Sequence, residues 1–193
     1  MARHEDVRER IIEAAEQRLW HYGFKKTTMD EIASDAGVGK GTVYLHFDSK
    51  EDVTLAIMAK YKQQSLEKLA VVAGDSTKSP EAKLKEMLRQ PLLDAYTKCL
   101  ASPASLELIV AVKPHIREIM LPYSDQEYAL LAKVLEEGNR SGVFDVPDSL
   151  RAAKTLKTMC LGFLPPYPCV SSIEEITPEI DKIVDLTTRG LRK

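Results

Sequence analysis

The side chains of this chain that are best suited to meet an anion lie in one short stretch near the N-terminus. No Asp or Glu occurs from Ala36 to Phe47, which we call the acid-free stretch. Thr42 and Tyr44 lie within it, and the basic residues in and around it are Lys25, Lys26, Lys40, His46 and Lys50. A surface that binds a polyanion must exclude acids from its contact face, not from its whole domain. The pattern therefore indicates an anion-binding face made of hydrogen-bond donors.

The total charge of the chain does not by itself indicate such a partner. The formal net charge of the 193 residues is −2. Residues 1–50 contain eight Lys or Arg and nine Asp or Glu, so the N-terminal part is not basic either. Only the local pattern of charges therefore favours an anionic partner.

Two short helices joined by a tight turn are predicted to position these side chains. Thr28 is suited to the N-cap of the first helix, and Glu31 three residues later completes a capping box. Gly37 is expected to end that helix, because glycine adopts the left-handed conformation at little cost. The second helix is predicted from Lys40 to His46, with Val43 turned inward. This arrangement is that of a helix-turn-helix.

The rest of the chain is also predicted to be helical, so the expected fold is all-α with about nine helices. Outside the helix-turn-helix the predicted helices span residues 5–22, 49–72, 80–101, 103–120, 124–142, 148–163 and 177–190. Among the residues to which we assign helix starts are Asp48 with Glu51, Ser79 before Pro80, Ser124 with Glu127, and Thr177 before Pro178. Pro91 and Pro114 are expected to kink or split their helices. Residues 74–80 form the clearest linker.

Composition disfavours several classes of protein. No run approaches the length of about 18 apolar residues that a transmembrane helix needs, and the N-terminus has no apolar signal segment. We therefore expect a cytoplasmic protein. The cysteines Cys99, Cys160 and Cys169 are odd in number and lack C-x-x-C spacing, which predicts free thiols rather than a zinc site or a disulfide framework. A redox-active thiol stays open as the alternative.

The sequence contains no recognisable catalytic or metal-binding set of residues. The segment from Gly37 to Thr42 superficially resembles a phosphate-binding loop. That loop needs Ser or Thr directly after its lysine and a strand before it, whereas here Gly41 follows Lys40 and a helix precedes. We therefore expect no enzyme activity, no metal and no cofactor. An enzyme whose catalytic pair is hidden in the C-terminal part is the alternative.

Three segments of the N-terminal part carry a resemblance to a known family. They are TTMDEIA at 27–33, AGVGKGTVYLHF at 36–47 and SKE at 49–51. Through them, residues 5–60 resemble the TetR family of bacterial transcriptional repressors. One departure is Gly39, where the family often has Ser, which removes a possible hydroxyl contact. Beyond residue 60 the chain matches the family only in its helical layout.

The resemblance implies that the helix from Lys40 to His46 enters the major groove of DNA, which a helix fits. The residues expected to contact DNA are Thr28, Lys40, Gly41, Thr42, Tyr44, His46 and Lys50. Thr42 is the candidate for a base or thymine-methyl contact, and Lys40 for guanine or a phosphate. Gly41 allows close approach of the backbone, and the other residues are expected to hold phosphates. Thr28 as a cap only and His46 as an ordinary surface residue are the alternatives.

The resemblance also implies a division of the chain into two domains. Residues 1–50 are expected to form the helix-turn-helix DNA-binding domain, which continues into the linking helix 49–72. Residues 51–193 are expected to form a ligand-binding and dimerisation domain. The helices near 148–163 and 178–192 are the candidate dimer surface. The apolar residues assigned to it are Leu150, Ala153, Leu156, Met159, Cys160, Ile180, Ile183, Val184, Leu186 and Leu191.

A small-molecule pocket is expected in the second domain, again by resemblance. Splayed helices at Pro91 and Pro114 would leave a gap with few charges, which favours an apolar or lightly polar ligand. The residues that we assign to its wall are Met87, Leu92, Tyr96, Cys99, Leu108, Val112, Ile116, Met120, Tyr123, Met159 and Phe163. A filled core is the alternative for each of them. The turn at Pro165–Pro168 is expected either to cover the end of this pocket or merely to reverse the chain.

The function predicted from sequence is that of a homodimeric repressor, released from a palindromic operator by a small, mostly apolar effector. Its expected partners are double-stranded operator DNA, a second copy of the chain and an unidentified small molecule, and no membrane. A helix-turn-helix used only for protein contacts is an alternative. The acid-free stretch disfavours it, because a protein interface has no reason to exclude acids.

Overall fold

The computed structural model describes residues 2–100, 104–164 and 171–193. The helices in these residues are α1 (Ala2–Tyr22), α2 (Met29–Asp35), α3 (Lys40–His46), α4 (Lys50–Gly74), α5 (Pro80–Leu100), α6 (Ala104–Val112), α7 (Ile116–Arg140), α8 (Ser149–Leu161) and α9 (Ile173–Arg189). The described residues contain no strand beyond one isolated bridge between Phe144 and Arg192. The predicted all-α fold is confirmed. None of the described helices is long and apolar enough to cross a membrane.

The first capping box forms as the sequence predicts. The backbone N–H of Glu31 donates to Thr28 Oγ1 at 3.3 Å, and the backbone N–H of Thr28 donates to Glu31 Oε2 at 2.9 Å. Gly37 follows α2 with a φ of +64°, a conformation that costs a residue with a Cβ about 1–2 kcal/mol. These local signals place α2 and the turn after it. The predicted bounds of α3 are also correct.

The predicted capping box of Asp48 with Glu51 is wrong by one residue. Ser49 precedes α4, and its Oγ accepts the backbone N–H of Asp52 at 3.1 Å. A serine hydroxyl in the N-cap position satisfies the third donor of the helix directly. The helix therefore begins at Lys50.

Two other predicted helix starts are also wrong. Ser124 and Glu127 lie inside α7, which runs unbroken through Pro122. Thr177 and Pro178 lie inside α9, whose N-cap is Ser172. The Thr177 hydroxyl donates to the carbonyl of Ile173 at 2.7 Å, so a residue that can cap a helix is accommodated within one.

The prolines have different consequences in different helices. Pro91 lies inside α5, which is continuous from Pro80 to Leu100, so Pro91 does not split the helix. Pro114 lies between the end of α6 and the start of α7, where it does separate two helices as predicted. Ser79 caps α5 as expected, because its Oγ accepts the backbone N–H of Ala82 at 3.2 Å.

The described residues pack as two compact units. The N-terminal unit comprises the described residues of 1–62 and 101–120, and the C-terminal unit those of 63–100 and 121–193. The division therefore falls within α4 rather than at residue 50. Val53 in the first half of α4 belongs to the core of the N-terminal unit, and Ala73 near its end to that of the C-terminal unit. The domain boundary at 50 and 51 stays a prediction about function.

Each unit has its own apolar core. In the N-terminal unit, buried residues of α1 to α4 and α6 form one cluster, which includes Ile11, Leu19, Ile32, Val43, Phe47, Ile57 and Leu108. In the C-terminal unit, the cluster draws on α4, α5 and α7 to α9, and includes Leu84, Leu92, Tyr96, Leu135, Leu156, Ile176 and Ile180. Thus α3 is supported by a core of its own unit.

Candidate nucleic-acid interface

Helix α3 is anchored by one face and presents the other to solvent. Val43 is fully buried and Phe47, directly after the helix, is 5% exposed. Burying two such side chains contributes about 1.5–3 kcal/mol each. On the outer face, Tyr44 is 45% and Leu45 79% exposed. The short helix is therefore held firmly while its outer side chains stay available to a partner.

The start of α3 is uncovered by side chains. Its N-cap is Gly39, which makes no side-chain capping bond, although its carbonyl accepts the backbone N–H of Thr42 at 2.9 Å. A Cβ added at Gly41 would meet no heavy atom within 4 Å. No intramolecular contact therefore requires glycine at 41, which is consistent with space kept for an external partner.

All three acids of α2 are paired with cations. Arg18 on α1 lies 2.7 Å from Glu31 and 2.7 Å from Asp35. The Arg18 guanidinium, and next the Thr28 hydroxyl, lower the pKa of Glu31. Asp30 pairs with Lys40 at 2.8 Å. These pairs reduce the negative field beside α3, which the composition of residues 1–50 did not indicate.

Three predicted contact residues of α3 have partly exposed side chains near this face. Lys40 lies with its ammonium 6.0 Å from the ring centroid of Tyr44. Thr42 and His46 are half-buried, and the His46 ring lies 6.5 Å from that of Phe47. Lys40, Gly41 and Tyr44 thus share the exposed face, with Thr42 and His46 at its margins.

The two remaining predicted contacts already have intramolecular roles. Thr28 is exposed and caps α2. The Lys50 ammonium donates to the carbonyls of Phe24 and Thr27 at 2.5 and 2.7 Å, and it lies 4.2 Å from the Phe24 ring centroid. An ammonium has three donors, and these two bonds occupy two of them. Lys50 therefore fixes the loop before α2 as well.

Sequence reasoning missed two residues at this surface. Leu45 has the most exposed large apolar side chain among the described side chains of the N-terminal unit. Helical periodicity alone could have found it, since it follows Tyr44 and lies away from Val43. The Arg8 guanidinium stacks 5.1 Å from the Phe47 ring centroid. No sequence signal indicates that contact, because Arg8 belongs to α1.

Comparisons with known proteins agree with this geometry. The family model for bacterial regulatory proteins of the tetR family matches residues 11–57, which include the whole helix-turn-helix. An uncharacterised HTH-type transcriptional regulator of Pseudomonas putida, TtgW, is 33% identical over 91 residues, which are 40% of this chain and 68% of that protein. The chain belongs to the TetR family. The resemblance inferred from sequence is thereby confirmed.

Another relative is matched over a smaller part of its length. The uncharacterised regulator YerO of Bacillus subtilis is 38% identical over 87 residues, which are 45% of this chain and 29% of YerO. The chain thus spans less than a third of that relative. A transcriptional regulator of known structure from Cytophaga hutchinsonii has a TM-score of 0.78 at 24% identity, covering 96% of this chain and 98% of that one. This second similarity shows the fold alone.

The predicted ligand-pocket residues fall in both units. Met87, Leu92 and Tyr96 are buried in the core of the C-terminal unit, where Met159 and Phe163 pack at the edge of that core. Cys99 and Tyr123 are half-buried in the same unit. Leu108 and Met120 belong to the N-terminal unit. The side chains of Val112 and Ile116, the Pro165–Pro168 turn and Cys169 lie outside the described residues.

The cavity beside two of these residues is small. Met87 and Leu92 line a cavity of about 30 Å³, which is room for about one water molecule. Burial raises the pKa of the Cys160 thiol, and also that of Cys99. Both shifts disfavour the reactive thiolate. The assigned pocket wall therefore remains a prediction.

The candidate dimer helices expose only part of their apolar surface to solvent. Ala153, Leu156, Cys160, Ile180 and Val184 are buried in the core of their own unit. By contrast, Leu150 on α8 is 48% exposed, Leu161 at its end 56%, and Leu186 on α9 69%. The packed-core alternative is thus correct for these five residues of the assigned set, while leucines on both helices remain exposed.

Proposed function

We propose that this chain is a homodimeric DNA-binding repressor, released from a palindromic operator by a small, mostly apolar effector. The observation that carries the proposal is the outer face of α3. It combines Lys40, Gly41 and Tyr44 on a rigidly supported helix whose neighbouring acids are already paired with cations. A helix of this size fits the major groove and reads base edges there.

The contacts divide into two kinds. Thr42 and Leu45 are the base-reading side chains, since a threonine or leucine methyl group packs against the methyl of thymine. Tyr44, His46, Thr28 and the third donor of Lys50 hold phosphates and so position the protein. On DNA binding, the Lys40 ammonium leaves Asp30 and contacts a guanine or a phosphate.

A dimer is proposed because one helix-turn-helix binds DNA weakly. Two copies related by a two-fold axis present two α3 helices to two half-sites. The exposed leucines of α8 and α9 are apolar side chains that an interface between two copies would cover. Leu150, Leu161 and Leu186 are its proposed centre.

The effector acts by differential binding. It must bind the form of the dimer that cannot span the operator better than the form that can, because a ligand with equal affinity for both shifts nothing. Helix α4 contributes residues to both units. It therefore connects the C-terminal unit, in which we place the effector, to the helix-turn-helix through one continuous backbone.

The test is a mobility-shift titration with DNA from upstream of the chain's own gene and with a pool of random duplexes. We expect a specific complex at moderate salt, and an affinity that falls steeply as salt rises, because phosphate contacts release counterions. No selection of any sequence from the pool would overturn the proposal. Retention of a protein partner without DNA binding would favour a helix-turn-helix used for protein contacts.

A further inference from the structure

The fold holds one carboxylate of α7 almost out of water. Glu127 is 1% exposed, and the ammonium of Lys157 on α8 lies 3.2 Å from both of its carboxylate oxygens. The cost of desolvating a buried ion pair offsets most of its attraction, so such a pair adds little stability. An apolar pair would join α7 to α8 as well. The ion pair therefore suits a role in binding rather than in folding.

A small apolar cavity lies against this ion pair. Glu127 and Lys157 form its polar wall, and Met87, Leu131 and Cys160 are among its apolar lining residues. Its volume is about 30 Å³, and two of its lining residues, Leu69 and Pro91, also line a groove of about 300 Å³ along α4 and α5. An apolar tail in the groove would thus bring its head group to the ion pair.

Pro91 leaves one backbone carbonyl of α5 without its usual helical donor. Proline has no backbone N–H, so the carbonyl of Met87 four residues earlier lacks its usual helical donor. Met87 and Pro91 both line the cavity, although α5 continues past them without a break. The Glu127 carboxylate and the Met87 carbonyl both accept hydrogen bonds. A protonated amine, which has several N–H donors and no acceptor, complements them.

The different exposure of the two charged residues decides the charge of the ligand. The Lys157 side chain is 19% exposed and can turn its ammonium to water on its long stem, whereas the 1% exposed side chain of Glu127 has no such route. An incoming ammonium replaces Lys157 and keeps Glu127 neutralised. An incoming carboxylate would place a second negative charge beside Glu127.

We propose that the C-terminal unit binds an amphipathic amine, with its ammonium on Glu127 and the Met87 carbonyl and its apolar tail in the groove along α4 and α5. If this amine is the effector, it specifies the ligand class of the proposed function. Its regulatory role therefore rests on that proposed function. Entry of the head group requires Lys157 to move outward and the small cavity to widen.

The binding test compares three probes with one tail and different heads: dodecylamine, dodecanol and dodecanoate, each titrated calorimetrically into the full chain below its micelle concentration. Dodecylamine is expected to bind at least about tenfold more tightly than dodecanol, as a charge-assisted hydrogen bond warrants, and dodecanoate most weakly. Equal binding of all three, or a preference for dodecanoate, would overturn the proposal.

Variants of the ion pair test where the head group lies. Glu127→Gln keeps the shape and removes the charge, so the advantage of dodecylamine over dodecanol should disappear. Glu136→Gln, on an exposed glutamate of the same helix, is the matched control and should keep that advantage. Persistence of the amine preference in Glu127→Gln would place the site elsewhere and overturn the proposal.

A second variant keeps the test decisive should Glu127→Gln fold poorly. Lys157→Met removes from Glu127 the ammonium that would compete with the ligand. We expect a lower melting temperature than in the unchanged chain, and a larger rise on addition of dodecylamine. Lys154→Met, exposed on the same helix, should show neither effect. A rise no larger than that of the unchanged chain would count against the site.

The two proposals are tested separately by measuring DNA binding without amine and amine binding without DNA. A chain that binds its operator but none of the amines retains the proposed DNA-binding function and loses the amine site. A chain that binds dodecylamine through Glu127 with no change in operator affinity retains the site, and the proposed release by an effector then fails.

Discussion

The ammonium of Lys40, in the first turn of α3, lies 2.8 Å from a carboxylate oxygen of Asp30 on α2. Both side chains are exposed, at 60% and 61%. The hydrogen bond from Lys40 to Asp30 raises the pKa of Lys40, so the lysine remains charged. A lysine of the acid-free stretch is thus paired, in the folded protein, with an acid that lies outside that stretch in sequence.

Asp30→Asn should strengthen DNA binding. The change frees the Lys40 ammonium for a phosphate and removes a negative charge beside the duplex. We expect affinity to rise by about two- to fivefold, since an exposed ion pair is weak, and the logarithmic salt slope to steepen by about one. Fluorescence anisotropy across a salt series measures both. Asp125→Asn, on an exposed aspartate of α7, is the control, and a loss of affinity in Asp30→Asn would show that the pair instead positions α3.

Leu45→Ala should weaken binding at thymine-containing positions of the operator. Replacing each operator thymine in turn by deoxyuridine removes one methyl group. At the contacted position this should lower the affinity of the unchanged chain by about fourfold, as expected for about 0.8 kcal/mol per methyl group. The same replacement should have no effect on Leu45→Ala. Leu121→Ala, an exposed leucine of the C-terminal unit, should respond like the unchanged chain. If no thymine is sensitive, Leu45 does not read bases.

Lys50→Met should reduce the stability of the protein as well as its DNA affinity. The methionine keeps most of the apolar stem but deprives the carbonyls of Phe24 and Thr27 of their charged donor. We expect the free energy of unfolding to fall by about 1–3 kcal/mol, measured by urea denaturation without DNA. Lys26→Met, at an exposed position of the same loop, should change it little. Unchanged stability together with weaker binding would assign Lys50 to a phosphate alone.

Leu186→Glu should dissociate the proposed dimer without unfolding the chain. The side chain is 69% exposed on α9, so a charge there is tolerated within one copy and rejected by an apolar contact between two. Sedimentation velocity should show monomers at concentrations where the unchanged chain is dimeric, and operator affinity should fall with it. Leu121→Glu provides the exposed-leucine control. A Leu186→Glu dimer of unchanged stability would require another interface.

Local sequence signals succeeded where a few neighbouring residues decide the structure. The capping box of Thr28 and Glu31, the turn at Gly37 and the bounds of α3 depend on hydrogen bonds and backbone angles within four residues. The same type of signal failed at Ser124 and Thr177. Both residues can cap a helix, and only their surroundings decide that they lie within one.

The sequence by itself thus determined the all-α class, the helix-turn-helix and the family, because each depends on short-range patterns. Tertiary structure decided how the charges are distributed. Lys40 with Asp30, Lys50 with Thr27 and Lys157 with Glu127 are separated by 10, 23 and 30 residues. Packing between helices brings such partners together, and burial then sets the electrostatic consequence. No local sequence pattern encodes these pairings or the burial of their charges. For that reason the exposed face of α3 was predictable, whereas the neutralised acids beside it and the buried ion pair were not.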